Sequence, residues 1–125
     1  MTASKNSAGL TAAQLSKLKT RLLAERVRLQ DSQAVMTPVR EAIERGGDAM
    51  DEAEESLEQH DAIGRFAHDR SHLADVDRAL LKMDSGDYGV SELSGEPIGY
   101  ARLEAVPWAR LTASEQEQAE RRARG

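Results

Sequence analysis

Apolar residues return along the first half of this chain at heptad intervals. Leu15, Leu18, Leu22, Leu29, Met36, Val39 and Ile43 fall on a and d positions, with Glu25 and Ser32 interrupting the seam. Such a stripe predicts one long helix that pairs through a single face. Thr11 is placed to cap it, and Gln14 three residues on completes a capping box. Pro38 lies inside, where a missing amide and a clash with the preceding turn predict a kink near Thr37-Pro38. Gly46-Gly47 ends the pattern, because glycine takes the left-handed conformation that helix C-termini favour. Asp48 then sits as an N-cap, and Asp51 and Glu52 put negative charge into the first turn of a second helix, from about Ala49 to Met83. Phe66, Leu73, Val76, Leu80 and Met83 keep the heptads there, Ala62 extends them, and Gly64 is a weak point. Two helices of about 35 residues joined by a tight turn predict an antiparallel coiled-coil hairpin, roughly 50 Å long at about 1.5 Å per residue.

Past Met83 the pattern changes. Asp84-Ser85-Gly86-Asp87-Tyr88-Gly89 and Ser94-Gly95-Glu96-Pro97 are turn clusters. Between and after them, Val90-Ser91-Glu92-Leu93 and the run from Ile98 to Leu103 predict a short β-hairpin. Thr112-Ala113-Ser114-Glu115 is a second capping box, opening a polar helix to about Ala123. The fold class is therefore mainly α. A small, polar tail (1–10) is expected to be disordered, the hairpin occupies 11–83 with its tip at 46–52, and a small module fills 84–125.

Composition narrows the function. The chain has 125 residues, enough for one domain or one with an extension. Its aromatic residues, Phe66, Tyr88, Tyr100 and Trp108, are too few for a thick core, and 31% of positions are charged, as suits long helices sharing a thin seam. The absence of cysteine excludes disulfides, thiolate zinc sites, iron–sulfur clusters and cysteine nucleophiles. A net charge of −5 argues against general nucleic-acid binding. No apolar run reaches membrane-spanning length and residues 1–10 lack a signal-peptide core, so a cytoplasmic protein is expected. No nucleophile–base pair, phosphate loop or metal cluster stands out, and neither enzyme activity nor a cofactor is expected. His68 and His72 share a helix face, read as solvated rather than metal-binding. Asp84-Ser85-Gly86-Asp87 lacks the closing glutamate of a calcium loop, and Arg121-Arg122-Ala123-Arg124 reads as a solvated helix end.

Gly86-Asp87-Tyr88-Gly89, Gly95-Glu96-Pro97-Ile98-Gly99 and Arg102-Leu103-Glu104-Ala105-Val106-Pro107 together resemble the C-terminal signature of the DksA/TraR family. That resemblance spans roughly residues 11–122. It implies a bacterial transcription regulator, a monomer, that inserts a coiled-coil hairpin into the secondary channel of RNA polymerase. It also places the family's tip motif, Asp-x-x-Asp-x-Ala, on Asp48, Asp51 and Ala53, at the turn the glycines and heptads mark independently. Arg102 and Glu104 are expected to orient the C-terminal module.

This chain departs from the family twice. The usual four-cysteine zinc positions are Ser91, Ser94, Thr112 and Glu115, so the module is expected to be zinc-finger-like but without zinc. Two substitutes are expected: a capping box from Thr112 and Glu115, and apolar packing by Leu93, Val106 and Trp108, with docking through Leu15, Leu80 and Met83. The positions that match basic, guanosine tetraphosphate-binding residues are His68, Asp75, Val106 and Gln116, which predicts weak dependence on that nucleotide. The rival reading is a structural or self-associating coiled-coil protein that no longer binds polymerase.

Overall fold

The computed structural model of this chain describes residues 8–45 and 53–125. Its elements are α1 (Ala12–Glu44), α2 (Ala53–Ser85), α3 (Tyr100–Ala105) and α4 (Ala113–Arg124). The first begins where its cap predicts. The Gln14 amide donates to Thr11 Oγ1 at 3.1 Å and the Thr11 amide donates to Gln14 Oε1 at 3.0 Å, so two otherwise orphaned donors are satisfied reciprocally. Helix α1 continues unbroken through Pro38. Immediately before the proline, the Thr37 hydroxyl donates to the Gln33 carbonyl at 2.6 Å. Helix α2 ends in a Schellman motif at Gly86, φ 84°: the Asp87 amide donates to Lys82 O and the Gly86 amide to Met83 O. That end lies at Ser85, two residues beyond the expected Met83; the turn 46–52 lies outside the described residues.

The chain divides into two compact units, one of residues up to Glu25 together with Asp75–Gly125, the other Arg26–Ala74. In the second unit α1 and α2 pair through Leu29, fully buried, and Phe66, 7% exposed. Ser32 Oγ donates to Asp69 Oδ2, Gln33 Nε2 donates to the Phe66 carbonyl, and the Arg40 guanidinium lies 5.1 Å over the Phe66 ring. Partners fall from Asp69 to Phe66 as α1 rises from Ser32 to Arg40, so the helices run antiparallel. Val39, expected on the seam, is 43% exposed.

In the first unit Leu18, Leu22, Val76 and Ala79 from the two helices meet Leu10, Tyr88, Ile98, Leu103 and Pro107 in one buried core. Each large side chain buried there contributes about 1.5–3 kcal/mol. Leu10, which lies in the tail expected to be disordered, is 3% exposed. The expected β-hairpin is corrected. Among the described residues β-structure amounts to an isolated antiparallel bridge, Val90 with Pro97, flanked by Ser91 N–H to Glu96 O and Ile98 N–H to Gly89 O, both 2.8 Å. The expected returning strand is cut at Gly99, φ 99°, and becomes α3, whose Ala, Arg, Leu and Glu are strong helix formers. No helix among the described residues is long and apolar enough to cross a membrane.

Candidate functional site

The residues expected at the four cysteine positions come together around one carboxylate. Thr112 caps α4, with the Glu115 amide donating to Thr112 Oγ1 at 3.1 Å and the Thr112 amide donating to Glu115 Oε1 at 2.9 Å. The same Oε1 accepts the Ser91 hydroxyl at 2.6 Å. Ser91 is 4% exposed, and its Oγ accepts the amides of Leu93 and Ser94 at 3.0 and 3.2 Å. The turn is closed by Gly95 N–H to Ser91 O. Hydrogen bonds from Ser91 first, then from Ser94 and the Thr112 amide, hold the Glu115 carboxyl down at about 2.

This donor set does not fit zinc. Serine and threonine hydroxyls stay protonated where thiolates would bind. The lone carboxylate already receives two hydrogen bonds on Oε1. Nor do the described residues hold any group of three or more His, Cys, Asp and Glu side chains able to take a metal ion. The capping box is legible in the sequence; the Ser91 bond to Glu115 is not read there, although the resemblance assigns both residues to one four-ligand site.

The apolar substitute is only partly present. Leu93 is 69% exposed, in the middle of the Ser91–Gly95 turn, and packs no core. Val106 and Trp108 are half-buried, as are Leu15, Leu80 and Met83. The buried aromatic is Tyr88, whose hydroxyl donates to Pro107 O at 2.7 Å; burial pushes its phenol well above the usual range. Charge supplies a further link. Arg110 donates through Nε and Nη2 to Glu92 Oε1, at 2.9 and 2.8 Å, and Lys82 engages Glu92 Oε2. Arg110 first, then Lys82, hold the Glu92 carboxyl at about 2. The Glu92 amide also donates to Arg110 O at 2.9 Å, so backbone and side chain tie the same two segments. Glu104 accepts from Lys17 Nζ at 3.0 Å and its carbonyl accepts from Arg21, which places α3 against α1. Lys17 first lowers the Glu104 carboxyl below its usual range.

Of the positions expected to match guanosine tetraphosphate-binding residues, Asp75 accepts from Arg78 at 2.8 Å, Gln116 donates to Glu120 at 3.1 Å, and Val106 is half-buried. His68, in the other unit, is 80% exposed with Nδ1 3.7 Å from Asp69. Asp48 and Asp51, expected at the tip, lie outside the described residues, and Ala53 opens α2.

Known proteins place this architecture. Residues 86–121 match the model of the prokaryotic dksA/traR C4-type zinc finger. The RNA polymerase-binding transcription factor DksA of Caulobacter vibrioides is 34% identical over 112 residues, 89% of this chain and 79% of the relative. General stress protein 16O of Bacillus subtilis is 54% identical over 52 residues, 42% of this chain and 32% of its own length. Among solved structures, transcription factor DksA2 of Pseudomonas aeruginosa superposes with a TM-score of 0.71 at 30% identity, over 91% of this chain and 88% of that one. The RNA polymerase-binding regulator Dks of Chlamydia trachomatis L2 gives 0.55 at 27% identity, over 90% and 93%. With helical hairpin, C-terminal module and near-full-length identity in agreement, the chain belongs to the DksA/TraR family, whose members are transcription factors and not enzymes.

Proposed function

We propose that this protein binds bacterial RNA polymerase in the cytoplasm and carries its hairpin tip into the secondary channel, changing transcription initiation without a bound zinc ion. The observation that supports this most is the 34% identity, over 89% of the chain, to a protein named for binding RNA polymerase. Asp48, Asp51 and Ala53 are the residues that act there. Short acids beside a helix N-terminus are pre-positioned and lose little side-chain entropy on binding. They perform no chemistry. They bias polymerase between conformations, which requires different affinity for the competing states.

In reconstituted transcription, Asp51→Asn is expected to keep polymerase binding and to lose the effect on initiation. Equal activity of the variant and the wild type would end the tip model. In the same assay, guanosine tetraphosphate is expected to change the response little, because Asp75, Val106 and Gln116 are not cationic and His68 is an exposed imidazole.

Self-association is the rival, and the exposed Val27, Val35 and Val39 of α1 are the surface it would use. Sedimentation of the free chain separates the two: a monomer that co-purifies with core polymerase supports the first.

A further inference from the structure

In a four-thiolate finger the centre is a cation ringed by anions. Around Ser91, Ser94, Thr112 and Glu115 that order is inverted. The Glu115 carboxylate is the charge, and neutral donors turn toward it: the Ser91 hydroxyl at 2.6 Å and the Thr112 amide at 2.9 Å, both on Oε1. Ser91 Oγ already accepts two amides, those of Leu93 and Ser94. With its lone pairs engaged, the hydroxyl has its proton left to give, and the carboxylate receives it. Ser91 is buried while Glu115 is partly exposed, and a hydrogen bond to a charged group is stronger than one between neutral groups. One oxygen thus joins two segments that are far apart in sequence.

We infer that Glu115 is a carboxylate clasp, a positioning residue that ties the Ser91–Gly95 turn to the start of α4 where the family's finger is tied by metal. The inference deepens the zinc-free reading and rests on it. Such a clasp needs neither metal nor reduced thiol, so chelators and oxidants leave it closed. Only a proton on the carboxylate opens it. The donors that face Glu115 are uncharged: Ser91, Ser94 and Thr112. The nearest acid in the turn, Glu92, is held separately by Arg110 and Lys82. On α4, Glu117 pairs with Arg121 and Glu120 with Gln116. The folded-state value for Glu115, about 2, lies below the ordinary 4.5. The clasp therefore contributes in full above the ordinary carboxylate range and is lost as pH falls through it toward about 2. At cytoplasmic pH it is closed.

Side-chain carboxyl NMR titration of the full chain, with its metal content measured in parallel, tests this. In the wild type Glu115 is expected to titrate about one pH unit or more below an ordinary glutamate. Ser91→Ala is expected to raise that value by roughly half a pH unit or more and to leave Glu92 in place, because Glu92 answers to Arg110. Ser91→Thr, which keeps the hydroxyl, is expected to restore the low value. Ordinary titration of Glu115 in the wild type, or a low value indifferent to Ser91→Ala, overturns the clasp while a metal-free chain leaves the zinc-free reading standing. If Ser91→Ala does not fold, the wild-type value decides alone. One zinc ion per purified chain overturns both readings, so the two failures are told apart by metal content.

Discussion

Gly89 shows how one position can carry both a backbone requirement and a packing requirement. Its φ is 96°, and a Cβ placed there would stand 2.9 Å from Ala8 Cβ and 3.0 Å from Leu10 Cδ1. A side chain at this site would be strained, and Ala8 and the end of the buried Leu10 side chain would have to shift to admit it. Left-handed strain for a non-glycine residue is about 1–3 kcal/mol, before any loss of Leu10 burial. Gly89→Ala is therefore expected to lower stability by about 2 kcal/mol or more, read as a lower urea midpoint at unchanged slope. An unchanged midpoint would mean that the segment at Leu10 does not pack as described. The turn around Gly89 was legible in the sequence; the reason for glycine was not. Its neighbour, Leu10, sits in a run of small polar residues that reads as a tail. Leu93 is the converse case: apolar by composition, but carried in the middle of a turn whose amides point at Ser91 Oγ.

At the scale of elements, heptad spacing picks out five residues that the helices bury and others, such as Leu15, Leu73 and Leu80, that stay half-buried. Leu18, Leu22, Leu29, Phe66 and Val76 are all buried. Val39, which the same spacing puts on the seam, is 43% exposed. Spacing alone cannot say what a polar seam position does. Ser32 reads as an interruption, yet it donates to Asp69 at 3.2 Å, and a polar pair in a seam favours one register over its neighbours. The missing β-hairpin has a plain cause: Ile98–Leu103 does not alternate, and Gly99 turns the chain into α3. Gly64 offers the clearest test of propensity in α2. A Cβ there meets nothing within 4 Å, and its φ is not positive. Gly64→Ala removes only the excess entropy of glycine in the unfolded chain. It is expected to stabilise the protein by up to about 1 kcal/mol, visible as a raised denaturation midpoint. A destabilised variant would show that a Cβ at position 64 meets a neighbour in the folded chain.

For the molecule as a whole, the zinc-free reading asks what would stand in for a metal that can supply about 10–16 kcal/mol to a small finger. No single contact in the C-terminal module has that magnitude. The module instead shares the core of the first unit: Tyr88, Ile98, Leu103 and Pro107 are buried with Leu18, Leu22, Val76 and Ala79 of the long helices. The Tyr88–Pro107 bond, the Arg110–Glu92–Lys82 links and the Glu115 clasp then fix the segments that carry few buried apolar groups, α4 having none. Stability distributed in this way has a measurable consequence. A ligand that binds only the folded state at 100 times its Kd adds about 2.7 kcal/mol. For a chain of this size that is a shift on the order of 10 °C in Tm. Thermal unfolding is therefore expected to give the same Tm with a strong chelator and with added zinc. A Tm that falls on chelation and recovers with zinc would place a metal in the folded protein and return the module to the family's usual design. A Tm unmoved by either would leave the hydrogen bonds and the shared core to hold it, which is what the Ser91, Thr112 and Glu115 geometry requires.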